Sequence, residues 1–372
     1  MGSLLKLLVC LALAAAGPFQ AAAADRDSLK CSASSIGPFL DFEFRFVAGA
    51  WFALPIKQFW GGHVRLDFVM EVEPVNGTPG KPIVIEHQLN GKERVPDGVR
   101  GDISFPSAVS VGLGQYRTRW RIRDSYGRSC EGAKQFKASL SRKERTVEVT
   151  LGPGEIVDTG MYIFRPQEQV ERDDLNRPRR LKVFISLDVL GRRGRVVRTR
   201  MFHVMPHLAA LRRLASSPSF NEFSVVVFSF EDQKVVARQG YEGTVDFESL
   251  RGVIGDLQPE TVDFSDLARG SEMKFFESLL AEELLRSERP EAVVFLGQDL
   301  HFGKQLAAGL LNRFRDLGTL VSFWDSSRYA WRGAMGNFVR AMGGKERRVR
   351  QPSDLAQALA GFEARVLQAR PQ

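Results

Sequence analysis

The sequence predicts two parts: an all-β sandwich over residues 25–152 and an α/β, Rossmann-like domain with a mostly parallel sheet over 181–372. Three observations carry this. In the first part, short runs alternate between apolar and polar residues, the period of a half-buried strand. In the second, β-branched and aromatic runs alternate with stretches whose apolar residues recur every three or four positions. Between them, Gly152-Pro153-Gly154 and a charged stretch from Glu168 to Arg180 mark a linker over 153–180.

Residues 1–24 come first. Lys6 is followed by an apolar run over 7–16, then by Pro18 and the alanines Ala21-Ala22-Ala23-Ala24. This pattern reads as a secretory signal peptide cut after Ala24, and predicts export to the periplasm or beyond the cell. No later run reaches the roughly 18 apolar residues that a membrane span needs. Cys10 leaves with the signal segment, so Cys31 and Cys130 remain. An oxidising compartment allows them one bridge, if their Cα atoms come within reach. The formal charge of +8 falls to +7 without Lys6. That excess points to an anionic envelope polymer before nucleic acid, although an arginine-rich composition produces it with no partner at all.

In the sandwich, residues 41–46 alternate strictly between charged and aromatic side chains, and 63–72 continue the pattern. Further strands are expected over 83–85, 117–122 and 146–151. Asn76-Gly77, Asn90-Gly91, Pro96-Asp97-Gly98 and Tyr126-Gly127 supply turns. In the α/β part, buried strands are expected over 181–190, 223–230, 292–297 and 317–323. Helical faces are formed by Val204, Leu208, Leu211 and Ala215; by Met273, Phe276, Leu280 and Leu284; and by Leu306, Leu310 and Phe314. Pro352-Ser353-Asp354 starts a last helix that carries Leu355, Leu359, Phe362 and Val366.

Two resemblances follow from particular residues. Gly112-Leu113-Gly114-Gln115-Tyr116, the alternating strand after it and Asp124-Ser125-Tyr126-Gly127 resemble immunoglobulin-like sandwiches. The resemblance makes Tyr116 a tyrosine corner, bonded back to nearby backbone. The second part resembles the von Willebrand factor A-like domains, in the divergent form of exported acidobacterial-type proteins. That likeness rests on 223–230 with Glu231-Asp232-Gln233, on 291–297, and on Gly343-Gly344 through Gln351-Pro352-Ser353-Asp354-Leu355. It implies a Rossmann-like sheet flanked by helices. Metal-binding members carry Asp-x-Ser-x-Ser after the first strand and an aspartate after the central one. Here Asp188 stands at the aspartate, but Leu190 and Arg192 replace the serines, and the central strand runs into Gly297-Gln298-Asp299. A hard cation needs several oxygen ligands, so no metal and no cofactor are expected.

Ligands of open α/β sheets bind beyond the carboxyl ends of the strands. Asp188, Asp299 and Asp325 fall there, with His301 after the second and Ser326-Ser327 after the third. They are the speculative ligand-binding set, weighed against solvated loop carboxylates and helix caps. His203 and His207 are four apart, as helical metal ligands can be, but Pro206 between them favours a helix opening. Arg192, Arg193, Arg195, Arg198 and Arg200 form a basic patch for anionic envelope groups, or else a solvated hairpin. No zinc-protease, nucleophile-elbow or phosphate-loop motif occurs, so no catalytic residue is named. The expected function is a non-enzymatic, exported or envelope-associated module that binds a protein partner. The alternative is a hydrolase or metal-binding protein that uses the strand-end acidic cluster.

Overall fold

The computed structural model describes residues 28–159, 170–172, 179–190, 196–198, 201–255, 272–286, 288–302, 306–327 and 333–369. The expected signal segment lies outside them. The first part consists of two four-stranded antiparallel sheets. Its strands are β1 (Ser32–Leu40), β2 (Phe46–Pro55), β3 (His63–Pro74), β4 (Ile83–Arg94), β5 (Asp102–Val111), β6 (Gly114–Asp124), β7 (Ser129–Ala138) and β8 (Ile156–Asp158). The sheet orders are β1-β2-β5-β8 and β4-β3-β6-β7. They face each other across an aromatic core, in which the Phe52 ring lies 4.9 Å from Phe68 and 5.1 Å from Trp120. Alternation explains the facing: along β6, Tyr116, Thr118, Trp120 and Ile122 are buried while Arg119 and Arg121 stand in solvent. A disulfide joins Cys31 to Cys130 on β7, with Cα atoms 6.2 Å apart.

Four expectations here change. Residues 41–46 form a tight turn leading into β2, because Asp41 takes over the backbone: its Oδ1 accepts the N–H groups of Glu43 and Arg45, both at 2.9 Å. Phe44 closes that turn at φ 61°. Residues 146–151 form no strand. Val147 and Leu151 are buried, yet the backbone is laid on that turn, with Thr150 N–H bonded to Phe44 O at 3.0 Å. Asn90-Gly91 lies inside β4, where the pairing with β3 shifts register between His63 and Arg65. There the pair marks a bulge, not a turn. Finally, β8 extends the first sheet into the stretch expected to be linker, and three residues are too few for a period to reveal.

The second part is built on one six-stranded sheet of order β13-β12-β9-β14-β15-β16. Its strands are β9 (Arg180–Ser186), β12 (Glu222–Ser229), β13 (Lys234–Glu242), β14 (Ala292–Gly297), β15 (Leu320–Asp325) and β16 (Lys345–Arg348). All neighbours are parallel except β13, which turns back on β12 as an edge hairpin. A small hairpin, β10 (Asp188–Leu190) with β11 (Val196–Arg198), follows β9. The helices are α1 (Met201–Ala215), α2 (Phe247–Gly255), α3 (Glu272–Leu280) with a π-helical turn Ala281–Arg286, α4 (Ala308–Arg315), α5 (Ala334–Ala341) and α6 (Pro352–Gln368).

Strand parity sorts the helices. Leu181, Val183, Ile185, Val294 and Leu296 pack with α1, α2 and α6, while Phe184, Val293, Phe295 and Phe323 pack with α3, α4 and α5. The sheet is therefore covered on both faces, which is why its central strands read as continuous apolar runs. Lys182 breaks that pattern in β9. It is buried and ion-paired to Glu283 at 2.7 Å, which also pairs with Arg238 at 2.7 Å. At the start of α6, Asp354 accepts N–H groups from Gln351 (3.1 Å) and Arg350 (3.0 Å), which caps the helix. Among the described residues, no helix is long and apolar enough to cross a membrane.

Candidate functional site

The parallel strands deliver Asp188, Asp299 and Asp325 to one end of the sheet, as expected. The carboxylates are not solvated: their exposures are 0%, 4% and 1%. Each is held by the chain itself. Asp188 Oδ1 accepts the hydroxyl of Ser229 at 2.9 Å and the N–H of Glu231 at 3.3 Å, and its Oδ2 accepts Phe230 N–H at 2.6 Å. This ties the end of β9 to the turn between β12 and β13. Asp299 accepts Gly333 N–H at 2.7 Å and Gly336 N–H at 3.1 Å, so it caps α5 from a different part of the chain. Asp325 accepts the N–H and the hydroxyl of Ser327 at 2.8 and 2.6 Å, and Asp299 N–H at 3.3 Å.

Burial sets the electrostatics. It pushes the Asp188 carboxyl up to about 6, against the opposing pull of the hydrogen bonds from Phe230, Ser229 and Glu231. Burial likewise raises Asp299 to about 6, again against its backbone bonds, with the nearby charges of Asp325 and Glu346 adding to the rise.

The arrangement splits the predicted set. Asp299 and Asp325 come together, while Asp188 belongs to a separate knot around Ser229. His301 is exposed. Ser326 faces a residue outside that set, His207 of α1, with Oγ 2.8 Å from Nε2. Helix α1 begins at Met201, so Pro206 sits within its second turn and not at its opening. Ser326 Oγ also lies 3.2 Å from Gly297 O, so its one proton has two acceptors in reach, and the ring tautomer of His207 decides which takes it. The contact joins α1 to the sheet end. Sequence reading missed Ser229, Gly333, Gly336 and the role of His207. Only the spacing of Gly333 and Gly336 at a helix start hinted at a close approach.

The resemblance to von Willebrand A-like domains implies a divalent cation at this end, and the residues do not fit one. A cation ligand keeps lone pairs directed at the metal. Here Asp188 accepts three donors of the chain, Asp299 accepts one at each oxygen, and the sequence has Leu190 and Arg192 in the places of the family's serine ligands. Among the described residues, no three His, Cys, Asp or Glu side chains converge as a ligand set. Of the basic patch, Arg192, Arg193, Arg195 and Arg200 lie outside the described residues. Arg198 is described only as a backbone partner of Asp188. The neighbouring basic residues are not free for anions: Arg180 pairs with Glu222 at 2.6 Å and Glu288 at 2.8 Å, and Lys182 is buried with Glu283.

No protein-family model matches the chain, and no curated sequence is similar to it. Among solved structures it is similar to a von Willebrand factor type A protein from Catenulispora acidiphila, at a TM-score of 0.29 and 9% identity, over 83% of this chain and 52% of that one. It also matches a β-glucuronidase of Bacteroides uniformis at a TM-score of 0.18 and 8% identity, over 80% and 33% of the two chains. The chain thus spans about half the length of the first of these. Scores this low do not establish a common fold, and neither likeness bears on function.

Proposed function

We propose that the chain is an exported protein-interaction module without a catalytic step. In this reading an immunoglobulin-like sandwich precedes a von Willebrand A-like domain that has lost its metal-dependent adhesion site. The observation that carries the proposal is the state of the strand-end carboxylates. Asp188, Asp299 and Asp325 are buried and accept hydrogen bonds from the turns and the helix that surround them, and Ser326 beside them contacts His207 and Gly297 O. Side chains so committed hold a binding surface in shape. Export draws support from the Cys31–Cys130 bridge, a bond that persists in oxidising compartments.

The test is cross-linking capture from the native envelope, with and without a divalent-cation chelator, together with calorimetric titration of the purified chain with Mg²⁺, Mn²⁺ and Ca²⁺. A partner captured equally in chelator, and no heat from any cation, is the expected result. Capture that needs a divalent cation, or cation binding lost in Asp188→Ala, would overturn the proposal.

A further inference from the structure

The amino end of the parallel sheet lies opposite the strand-end carboxylates. Arg179 precedes β9 there, Ala292 opens β14 and Leu320 opens β15. A cavity of about 380 Å³ sits at this end, walled by Pro290, Leu320 and Val366, with Arg179, Arg289 and Glu291 as its charged side chains. Backbone bonds hold the walls: Asn221 N–H donates to Arg179 O at 3.0 Å, Glu291 N–H to Arg180 O at 3.1 Å, and Leu320 N–H to Glu291 O at 3.0 Å. The cavity is thus preformed, as small-molecule sites usually are.

Its two arginines differ from those around them. Arg180 pairs with Glu222 and Glu288, and Arg238 with Glu282 and Glu283. Among the described residues, Arg179 and Arg289 pair with no carboxylate. Arg179 Nη1 is shut off from water and has no hydrogen-bond acceptor. Glu291, the one acid of the cavity, has its Oε2 engaged by Arg180 N–H at 2.6 Å. The Arg289 guanidinium lies where Gly318 leaves room, since a Cβ at Gly318 would stand 3.3 Å from Nη2. The carboxyl end of α6 borders the cavity, and its dipole favours cations, yet its carbonyls do not accept from Arg179 Nη1. A guanidinium that is partly desolvated and unpaired costs free energy, which a counter-anion relieves.

We propose that this cavity binds a small monocarboxylate with an apolar body, its carboxylate held between Arg179 and Arg289. Three features select that chemistry. A planar carboxylate matches the donor fork of a guanidinium, and the guanidinium charge is delocalised, so an anion at its cavity-facing edge also compensates the buried nitrogen. Two cations against one anion leave the lining with a net charge of +1, which a single negative charge cancels. The second charge of a phosphate dianion would instead face Glu291. Pro290, Leu320 and Val366 offer apolar surface that a hydrocarbon body covers and a bare inorganic anion leaves wet. The site lies at the far end of the sheet from the carboxylates that carry the partner-binding reading, and it stands or falls separately.

Amide chemical-shift titration of the full chain with hexanoate tests this, with hexanamide as the uncharged probe and inorganic phosphate as the probe without an apolar body. The expected result is saturable binding of hexanoate with a dissociation constant of about 1 mM, the strength open to so small a ligand. The shifts should centre on Ala292, Gly318 and Leu320. Hexanamide and phosphate should each bind at least tenfold more weakly. Arg179→Met and, independently, Arg289→Met should weaken hexanoate by tenfold or more, and Arg251→Met on α2 should leave it unchanged. Neither arginine of the cavity holds a partner among the described residues, so neither variant should lower the urea midpoint. Arg289 is exposed, and its variant decides the matter if Arg179→Met does not fold. Four results each overturn the proposal: no saturable shift with hexanoate, hexanamide bound as well as hexanoate, phosphate bound as tightly or more so, or binding indifferent to both substitutions.

Discussion

At the scale of single residues, the sheet end is governed by carboxylates placed against glycine. Asp299 reaches α5 only because residues 333 and 336 lack side chains. A Cβ at Gly336 would lie 2.4 Å from Asp299 Oδ2, and one at Gly333 would lie 2.4 Å from Oδ1. The carboxylate cannot swing away without giving up the two N–H bonds that hold it. Gly336→Ala should therefore destabilise the fold by about 2 kcal/mol, the cost of forced overpacking, read from urea denaturation. The same burial fixes a pH dependence. Asp188 and Asp299 titrate near 6 in the fold, against an ordinary 3.8. Between those values the folded chain binds more protons than the unfolded one, so stability falls as pH rises from 4 to 6. The loss is of the order of 2–3 kcal/mol for each group. Asp299→Asn should flatten its share of that slope in denaturation curves at pH 4, 5, 6 and 7. A wild-type stability that climbs over this range would contradict the burial argument.

At the scale of elements, two side chains fasten segments that periodicity leaves loose. Arg172, from the stretch expected to be linker, donates to the carbonyls of Ala215 (3.2 Å), Ser217 (3.0 Å), Phe220 (2.6 Å) and Gly243 (3.1 Å). Its guanidinium sits at the carboxyl end of α1, where the helix dipole favours a cation, and lies 4.8 Å from the Phe223 ring. Burial lowers its pKa. Arg172→Met leaves those carbonyls without their donor and should cost about 3 kcal/mol. It should also speed amide exchange over residues 215–222 ahead of the rest of the sheet. In the first part, the Tyr116 hydroxyl donates to Gly112 O at 2.9 Å, pinning the entry to β6, and burial pushes that phenol up to about 12. Tyr116→Phe should cost about 1–2 kcal/mol, since it strands a buried carbonyl, and leave the Cys31–Cys130 bridge intact.

At the scale of the whole molecule, the buried core runs without a break from the two N-terminal sheets into the layer under α1, α2 and α6. The meeting point is the Asp41–Arg45 turn against the end of α1. There Arg213 donates to Glu43 O and to Thr150 Oγ1, its guanidinium lies 4.6 Å from the Phe44 ring, and Arg212 stands 3.8 Å from Glu43. The disulfide acts at this scale too, because its cysteines are 99 positions apart. Closing a loop of that length restricts the unfolded chain. Cys130→Ser should lower unfolding free energy by about 3–5 kcal/mol, measured against the wild type with and without reductant.

The amino-acid sequence by itself determined the two kinds of architecture. Strict alternation in 63–72 and 117–122 became β3 and β6. The apolar runs 223–230 and 292–297 became strands covered on both faces, and the 3.6-residue pattern from Leu355 to Val366 became α6. Those signals are local, since a side chain's period along its own strand or helix decides which face it buries. Alternation misled at 41–46, where a single aspartate captured the backbone and made a turn of the same period. The sequence also placed Asp188, Asp299 and Asp325 at one end of one sheet. Only the tertiary structure decided what they do there. Hydrogen bonds form between atoms, not between neighbours in sequence, and the donors came from Phe230, Gly333 and Gly336, all more than thirty residues from the carboxylates they bond. With those donors in place, the carboxylates hold the turns and the helix around them, because each gives buried N–H groups the acceptor they would otherwise lack.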